Sequence, residues 1–243
     1  MSHRPWVVAP PPDQKGRVIV GGEEAHHLIK VLRLKRGDRF IVISGTGPGW
    51  EVEAEEVTRS LVKGRAIADV PLLPLPIHLT LGAGMIKGAR MDWLVEKCGE
   101  IGVRRLIPLI TRYGVVEPRT GKINRWRNLA IAAAKQAHNP VIMEVTEPVK
   151  AIECLSALPL TPIWSLDPYA PQPLIPQILS GDLPEELILL IGPEGGWSDE
   201  EKEAIRARGG EFFRLGETIL RTETAAVVTA GIILLVAHAS RTK

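Results

Sequence analysis

Cysteine is nearly missing from this chain: Cys98 and Cys154 are the only two in 243 residues. They stand far apart and outside any C-x-x-C spacing, which excludes a disulfide framework and a cysteine zinc site and leaves both as small buried apolar residues. Long hydrophobic runs are also missing. The longest apolar stretch, Ala225 to Ala237, is short for a bilayer-spanning helix, and Met1 to Pro12 lacks the apolar core of a secretion signal. A soluble, cytoplasmic protein with no membrane partner is expected from these absences.

Several catalytic signatures are absent too. No glycine loop ends in Gly-Lys-Ser or Gly-Lys-Thr, and no G-x-G-x-x-G follows a strand, so the phosphate cradles of triphosphatases and dinucleotide oxidoreductases are lacking. No G-x-S-x-G elbow occurs. The six histidines include the pair His26 and His27 but fall in no H-E-x-x-H pattern, so no metal is expected and they read as surface or packing residues.

What is present is the composition of a globular protein, 45% apolar and 24% charged, with enough apolar side chains to build a core. Net charge is only +2, yet it is unevenly spread: residues 85 to 127 hold ten Lys or Arg against four Asp or Glu, and residues 128 to 243 hold nine against fifteen. A polyanion would meet the first segment, although a solvated basic face would read the same way.

Prolines 71, 74 and 76 deny both helix continuation and ladder hydrogen bonds, so a linker is expected at 71 to 76. We divide the chain there into residues 1 to 72 and 73 to 243. Before the linker, Arg17 to Val20, Asp38 to Ser44, Trp50 to Thr58 and Leu61 to Val70 read as short strands, with one helix over about Glu23 to Leu32. Beyond it strands and helices alternate, which predicts an α/β domain with a mostly parallel sheet. Its strands are Ile77 to Ala83, Leu106 to Ile110, Ile163 to Leu166, Leu187 to Ile191 and Glu211 to Leu215. Met91, Leu94, Val95, Cys98 and Ile101 mark one helix ending at Gly102, and Trp126, Leu129, Ala130, Ala133 and Ala137 mark another.

Two blocks stand out for chemistry. Strand Leu187 to Ile191 runs into Gly192-Pro193-Glu194-Gly195-Gly196-Trp197, and Ser198 to Glu201 then opens a helix with a capping-box pattern. Ligands of α/β folds bind at such strand-to-helix loops, and Gly192, Gly195 and Gly196 let the backbone close on one, although a structural tight turn has the same composition. The second block, Leu215 to Ala225, again leads a strand through a loop into a helix. There Thr222 reads as the N-cap, Glu223 suits the first turn, and Arg221 faces an anionic substrate if the loop binds one.

Gly192-Pro193-Glu194-Gly195-Gly196-Trp197-Ser198 followed by Leu215-Gly216, Ile219-Leu220-Arg221-Thr222-Glu223-Thr224-Ala225 resembles the bacterial ribosomal RNA uridine-N3 methyltransferases of the SPOUT superfamily. The similarity extends through Arg4, His27, Val31 to Leu34, Ile86 to Gly88, Met91, Lys97, Glu100, Arg125-Trp126 and Gln136. It departs at Arg112-Tyr113-Gly114, at Ala137-His138-Asn139 and at Thr218, where the family often carries arginines.

The resemblance implies a PUA-like β-barrel that grips RNA, followed by a trefoil-knot domain, with S-adenosyl-L-methionine as cofactor. It further implies ribosomal RNA or the small ribosomal subunit as partner, and a homodimer. Leu166, Gly192, Pro193, Gly195, Gly196, Leu215, Ile219, Leu220 and Thr222 would hold the cofactor. Removing the proton from a uracil ring nitrogen leaves an anion that a fixed cation stabilises, so Arg221 is the expected catalytic residue, with Glu223 or Glu194 as proton acceptor. Arg4, Lys30, Arg33, Lys87 and Arg90 would contact phosphates. The continuous apolar surface of Ala225 to Ala237 implies burial all round and hence a second chain. A related methyltransferase for transfer RNA or a ribose 2′-hydroxyl, a non-catalytic ribosome-assembly protein and a metabolic enzyme binding an adenine compound are the alternatives.

Overall fold

The structure is a computed structural model that describes residues 4–71, 77–114, 121–180 and 182–241. All of the expected linker except Pro71 lies outside the described residues. The chain forms two compact units, the first comprising Met1–Pro74 with Ala134–Ile142, the second Leu75–Ala133 with Met143–Lys243.

In the first unit, β1 (Trp6–Val8), β2 (Arg17–Val20), β3 (Arg39–Ile43), β4 (Gly49–Val57) and β5 (Val62–Val70) form one sheet in the order β1-β3-β4-β5-β2. β1 joins β3 in parallel, and the other pairings are antiparallel. Alternation along the strands places Val18, Val20, Phe40, Val42, Val52 and Ala54 in one core with Leu28. The helix expected over Glu23 to Leu32 is instead α1 (Gly22–His26) passing into a π-helical turn, His27–Val31. One widened turn preserves enough of the apolar spacing to read as a single helix. Arg4 pairs with Glu51 at 2.8 Å, while Lys30 and Arg33 are exposed, Arg33 at a left-handed φ of 55°. At the departure Ala137-His138-Asn139, His138 stacks on Trp6 with ring centroids 5.0 Å apart, and Asn139 Oδ1 accepts from the Val141 amide.

The second unit alternates as the sequence predicts: β6 (His78–Gly84), α2 (Ala89–Ile101), β7 (Arg105–Ile110), α3 (Lys122–Gln136), β8 (Glu144–Val145), β9 (Val149–Lys150) and α4 (Ala151–Ala157) come first. β10 (Ile163–Leu166), α5 (Leu174–Leu179), β11 (Glu186–Ile191), α6 (Asp199–Ala207), β12 (Glu211–Phe213) and α7 (Thr222–Arg241) follow. The strands form a seven-stranded sheet in the order β12-β10-β11-β6-β7-β8, with β9 also on β7, and every pairing is parallel. Ile188 and Leu190 of β11 pack with Cys154 and Leu155 of α4 and Ile205 of α6 on one face. On the other face α7 lies across β6 and β11 and against α2. Gly102 ends α2 in the left-handed conformation, φ 94°, as its position implied.

α7 runs well beyond the apolar stretch read from the sequence, and by length and composition Thr222–Ser240 could cross a membrane, but 50% of that stretch is buried inside the protein. Burial all round does not occur within one chain. Ala226, Thr229, Ala230, Ile233 and Ala237 are enclosed, whereas Val228 and Leu235 are 41% and 73% exposed.

Candidate functional site

β10 and β11 end side by side, Leu166 opposite Ile191, and the chain leaves both at their carboxyl ends, where a parallel sheet opens a crevice for ligands. A cleft of about 510 Å³ lies there, bounded by the turn after β10, the glycine loop after β11 and the segment entering α7. Its floor is apolar, from Leu166, Ile191, Pro193 and Leu220. Sequence blocks more than twenty residues apart thus share one concavity.

The glycine loop is fixed by its neighbours. A Cβ on Gly84, at the end of β6, would meet the Pro193 backbone nitrogen at 2.6 Å, so only glycine lets the loop lie that close to the strand. A Cβ on Gly195 would meet Tyr113 Cβ at 2.7 Å, and Gly196 holds φ 74°, which favours glycine. Trp197 is buried and its indole N–H donates to the Leu166 carbonyl at 3.3 Å, tying the loop to β10. Ser198 and Glu201 then make the expected capping box at the start of α6. Glu201 also reaches beyond its own helix, since its Oε1 accepts the Arg112 amide at 2.8 Å while Oε2 accepts the Ser198 amide at 2.8 Å. One buried carboxylate therefore locks the Arg112-Tyr113-Gly114 turn to the glycine loop.

Thr222 corrects the sequence reading. It is the first residue of α7 rather than its N-cap, and the Arg221 carbonyl accepts the Ala225 amide at 2.8 Å. The Thr222 hydroxyl instead donates to the Gly192 carbonyl at 3.0 Å and so joins the second block to the first. Of the remaining expected cofactor residues, Ile219 and Leu220 line the cleft and Leu215 does not. Ile219 is 69% exposed.

The charged side chains divide into two groups. Arg221 and Glu194 line the cleft, whereas Glu223 lies buried one residue beyond Thr222 and is not part of its wall. Arg90, expected on a phosphate, sits in the first turn of α2 with Nη1 2.9 Å from Glu194 Oε1 and 3.7 Å from Glu223 Oε1. Lys87 is exposed. The second group went unread in the sequence: Asp167, directly after β10, pairs with Lys202 of α6 at 2.6 Å, and its other oxygen accepts the Tyr169 amide. Asp167, Tyr169 and Lys202 all line the cleft. The place of Asp167 at a strand's carboxyl end was a usable signal; nothing local marks Tyr169 or Lys202.

Thiol chemistry has no part here. Burial pushes Cys98 up to about 12 and Cys154 up to about 11, so both stay protonated and poorly nucleophilic at neutral pH. Among the described residues no three His, Cys, Asp or Glu side chains gather as a metal site.

Comparison with known proteins matches two families along the chain. Residues 73–234 match the RNA methyltransferase domain, and residues 20–65 match the RNA methyltransferase PUA domain. The chain is 31% identical over 240 residues to ribosomal RNA small subunit methyltransferase E of Synechocystis sp., covering 94% of this chain and 76% of that protein. The Bacillus subtilis protein of the same name is 28% identical, over 88% of each chain. A Legionella pneumophila structure described as a methyltransferase in complex with its cofactor SAM superposes with a TM-score of 0.83 at 26% identity, over 95% of this chain and 97% of that one.

Proposed function

The chain belongs to the RNA methyltransferase domain family, joined to that family's PUA domain, and we propose that it methylates small-subunit ribosomal RNA with S-adenosylmethionine, at N3 of a uridine. The observation that carries this reading is the convergence of the glycine loop and the Ile219 to Thr222 segment on one apolar cleft, with Arg221 on its wall. The residues present fit the cofactor. Leu166, Ile191 and Leu220 offer apolar surface to an adenine, and Gly192, Gly195 and Gly196 bring backbone close to it. Asp167 stands at the strand end where α/β folds hold ribose hydroxyls. When bound, the cofactor supplies a methyl carbon on a cationic sulfur.

The protein's own part is to prepare the nitrogen that accepts that methyl. The ring N–H gives its proton to a carboxylate, Glu223 or Glu194, and the negative charge spreads over the two flanking carbonyl oxygens. Arg221, with the amides opening α7, supplies positive potential where that charge develops.

Arg4, Lys30 and Arg33 in the N-terminal unit and Lys87 in the C-terminal unit remain proposed RNA contacts, Arg4 at the cost of its pair with Glu51. Val228 and Leu235 of α7 expose apolar surface that a second copy would cover, giving a homodimer that light scattering at micromolar concentration would detect. The deciding experiment incubates the protein with labelled S-adenosylmethionine and unmodified small ribosomal subunits, digests the RNA and identifies the labelled nucleoside. 3-Methyluridine is expected; label on a ribose hydroxyl, or no label, overturns the proposal.

A further inference from the structure

Two carboxylates and one guanidinium meet beside the cleft, and the three are not equivalent. Arg90 Nη1 lies 2.9 Å from Glu194 Oε1 and 3.7 Å from Glu223 Oε1. Glu194 is 39% exposed in its side chain and Glu223 only 8%. Oε2 of Glu223 is buried and has no hydrogen-bond partner, the one such carboxylate oxygen among the described residues.

A buried carboxylate oxygen without a donor is costly, and a catalytic site is one of the places where native proteins keep such an atom. Glu194 lines the cleft, and the Arg90 nitrogen it shares with Glu223 sets the buried carboxylate directly behind that wall, one guanidinium away from the space where the target base is proposed to enter. The expected donor is a neutral ring N–H, the group an imide nitrogen of a pyrimidine presents. A phosphate is the wrong visitor for Arg90. With one positive and two negative groups, the trio is net negative, and a phosphate would have to displace a carboxylate held at 2.9 Å.

We propose that Arg90 is a positioning residue that gives the two carboxylates different duties. Glu194 is its ion-pair partner, and Glu223 is turned by the weaker contact so that Oε2 takes the proton from the target ring nitrogen. The inference deepens the base-methylation reading above and rests on it.

The test uses the full chain, labelled S-adenosylmethionine and unmodified small ribosomal subunits in single-turnover reactions. Alongside, cofactor affinity is measured by calorimetry, and subunit affinity as a function of salt. Glu223→Gln is expected to slow transfer about a hundredfold, the usual worth of a positioned base, and Glu194→Gln much less. Arg90→Gln should slow transfer about tenfold or more through misplacement of Glu223, with cofactor affinity, subunit affinity and salt dependence unchanged. Arg90→Lys, which keeps the charge, should recover part of the loss and controls for misfolding. Equal losses in the two glutamate variants overturn the division of duties. A salt slope shallower by about one unit in Arg90→Gln makes Arg90 a phosphate contact and overturns its positioning role. If the wild type labels no RNA under these conditions, the methylation reading fails first and takes this inference with it.

Discussion

Between Gly192 and Trp197 the backbone is held from several sides, by Gly84 beneath Pro193, Tyr113 against Gly195, the Leu166 carbonyl on Trp197 and the Thr222 hydroxyl on Gly192. Between Gly216 and Ile219 the chain is exposed at every residue, and Gly216 has no neighbouring atom within 4 Å of where a Cβ would stand. Both segments follow a short strand and precede a helix, so local sequence makes them look alike. The difference teaches that one backbone is fixed from several sides and the other is open to solvent, which on the proposed function makes the first a preformed cradle and the second a surface that a ligand completes. Substitutions in the first should therefore act on binding as a whole, and those in the second only where a side chain has a specific duty.

The largest expected effect comes from Gly195→Val. Its Cβ would fall 2.7 Å from Tyr113 Cβ, and Tyr113 cannot retreat easily because the Arg112 amide beside it is fixed on Glu201. The loop must then move into the cleft, and cofactor binding should be lost in calorimetry. Unchanged affinity would show that the cradle is not preformed. Arg221→Ala comes next and should act differently. Arg221 lines the cleft with an exposed side chain, so cofactor affinity should stay nearly normal while single-turnover methylation falls roughly a hundredfold, the loss typical of removing one preorganised stabiliser of developing charge. Lost cofactor affinity would move Arg221 to the cofactor, and unaltered turnover would remove it from the mechanism.

Features set by neighbours in the chain were legible in the sequence. Gly102 as a left-handed cap, the Ser198 and Glu201 capping box, and β2 and β10 to the residue follow from local chemistry, and the alternation of strands and helices pointed to the parallel sheet. Long-range partners were not legible. Thr222 has the right side chain for an N-cap, but its hydroxyl finds a carbonyl thirty residues away. Arg90 lies in a basic stretch and read as a phosphate contact, because its carboxylate partners stand on other elements far along the sequence. β8 and β9 are two residues each, too short for any periodicity to show. The Asp167 and Lys202 pair joins a strand end to a helix and depends on the fold being formed.

Thr222→Val tests the bond that connects the two segments. Valine keeps the shape and the branched Cβ but leaves the Gly192 carbonyl without its donor, a loss of about 1–2 kcal/mol or roughly tenfold in cofactor affinity. Thr222→Ser keeps the donor and should bind nearly as the wild type does. If valine is as good as serine, the hydroxyl bond does not hold the cleft together.

The smallest effect should come from a glycine in the open segment, and its smallness is the informative part. Gly216 stands beside Leu215 in a motif as glycine-rich in appearance as the first, and from sequence alone Gly216→Ala and Gly195→Ala look equivalent. In the structure they differ in the space a methyl group would have, since on Gly195 it would fall 2.7 Å from Tyr113 Cβ. A methyl group on Gly216 meets nothing within 4 Å, and its backbone is outside the left-handed region, so neither a clash nor strain opposes alanine. Replacing a permissive glycine where the backbone already suits alanine restricts the unfolded chain and should stabilise slightly, by about 0.4–1 kcal/mol. Thermal unfolding of Gly216→Ala is therefore expected at or just above the wild-type midpoint, with cofactor affinity within about twofold, an energy difference of less than about 0.5 kcal/mol. A large loss of affinity would mean that the segment closes on the ligand into a tighter conformation than the one described, and the contrast between a finished cradle and an open surface would no longer hold.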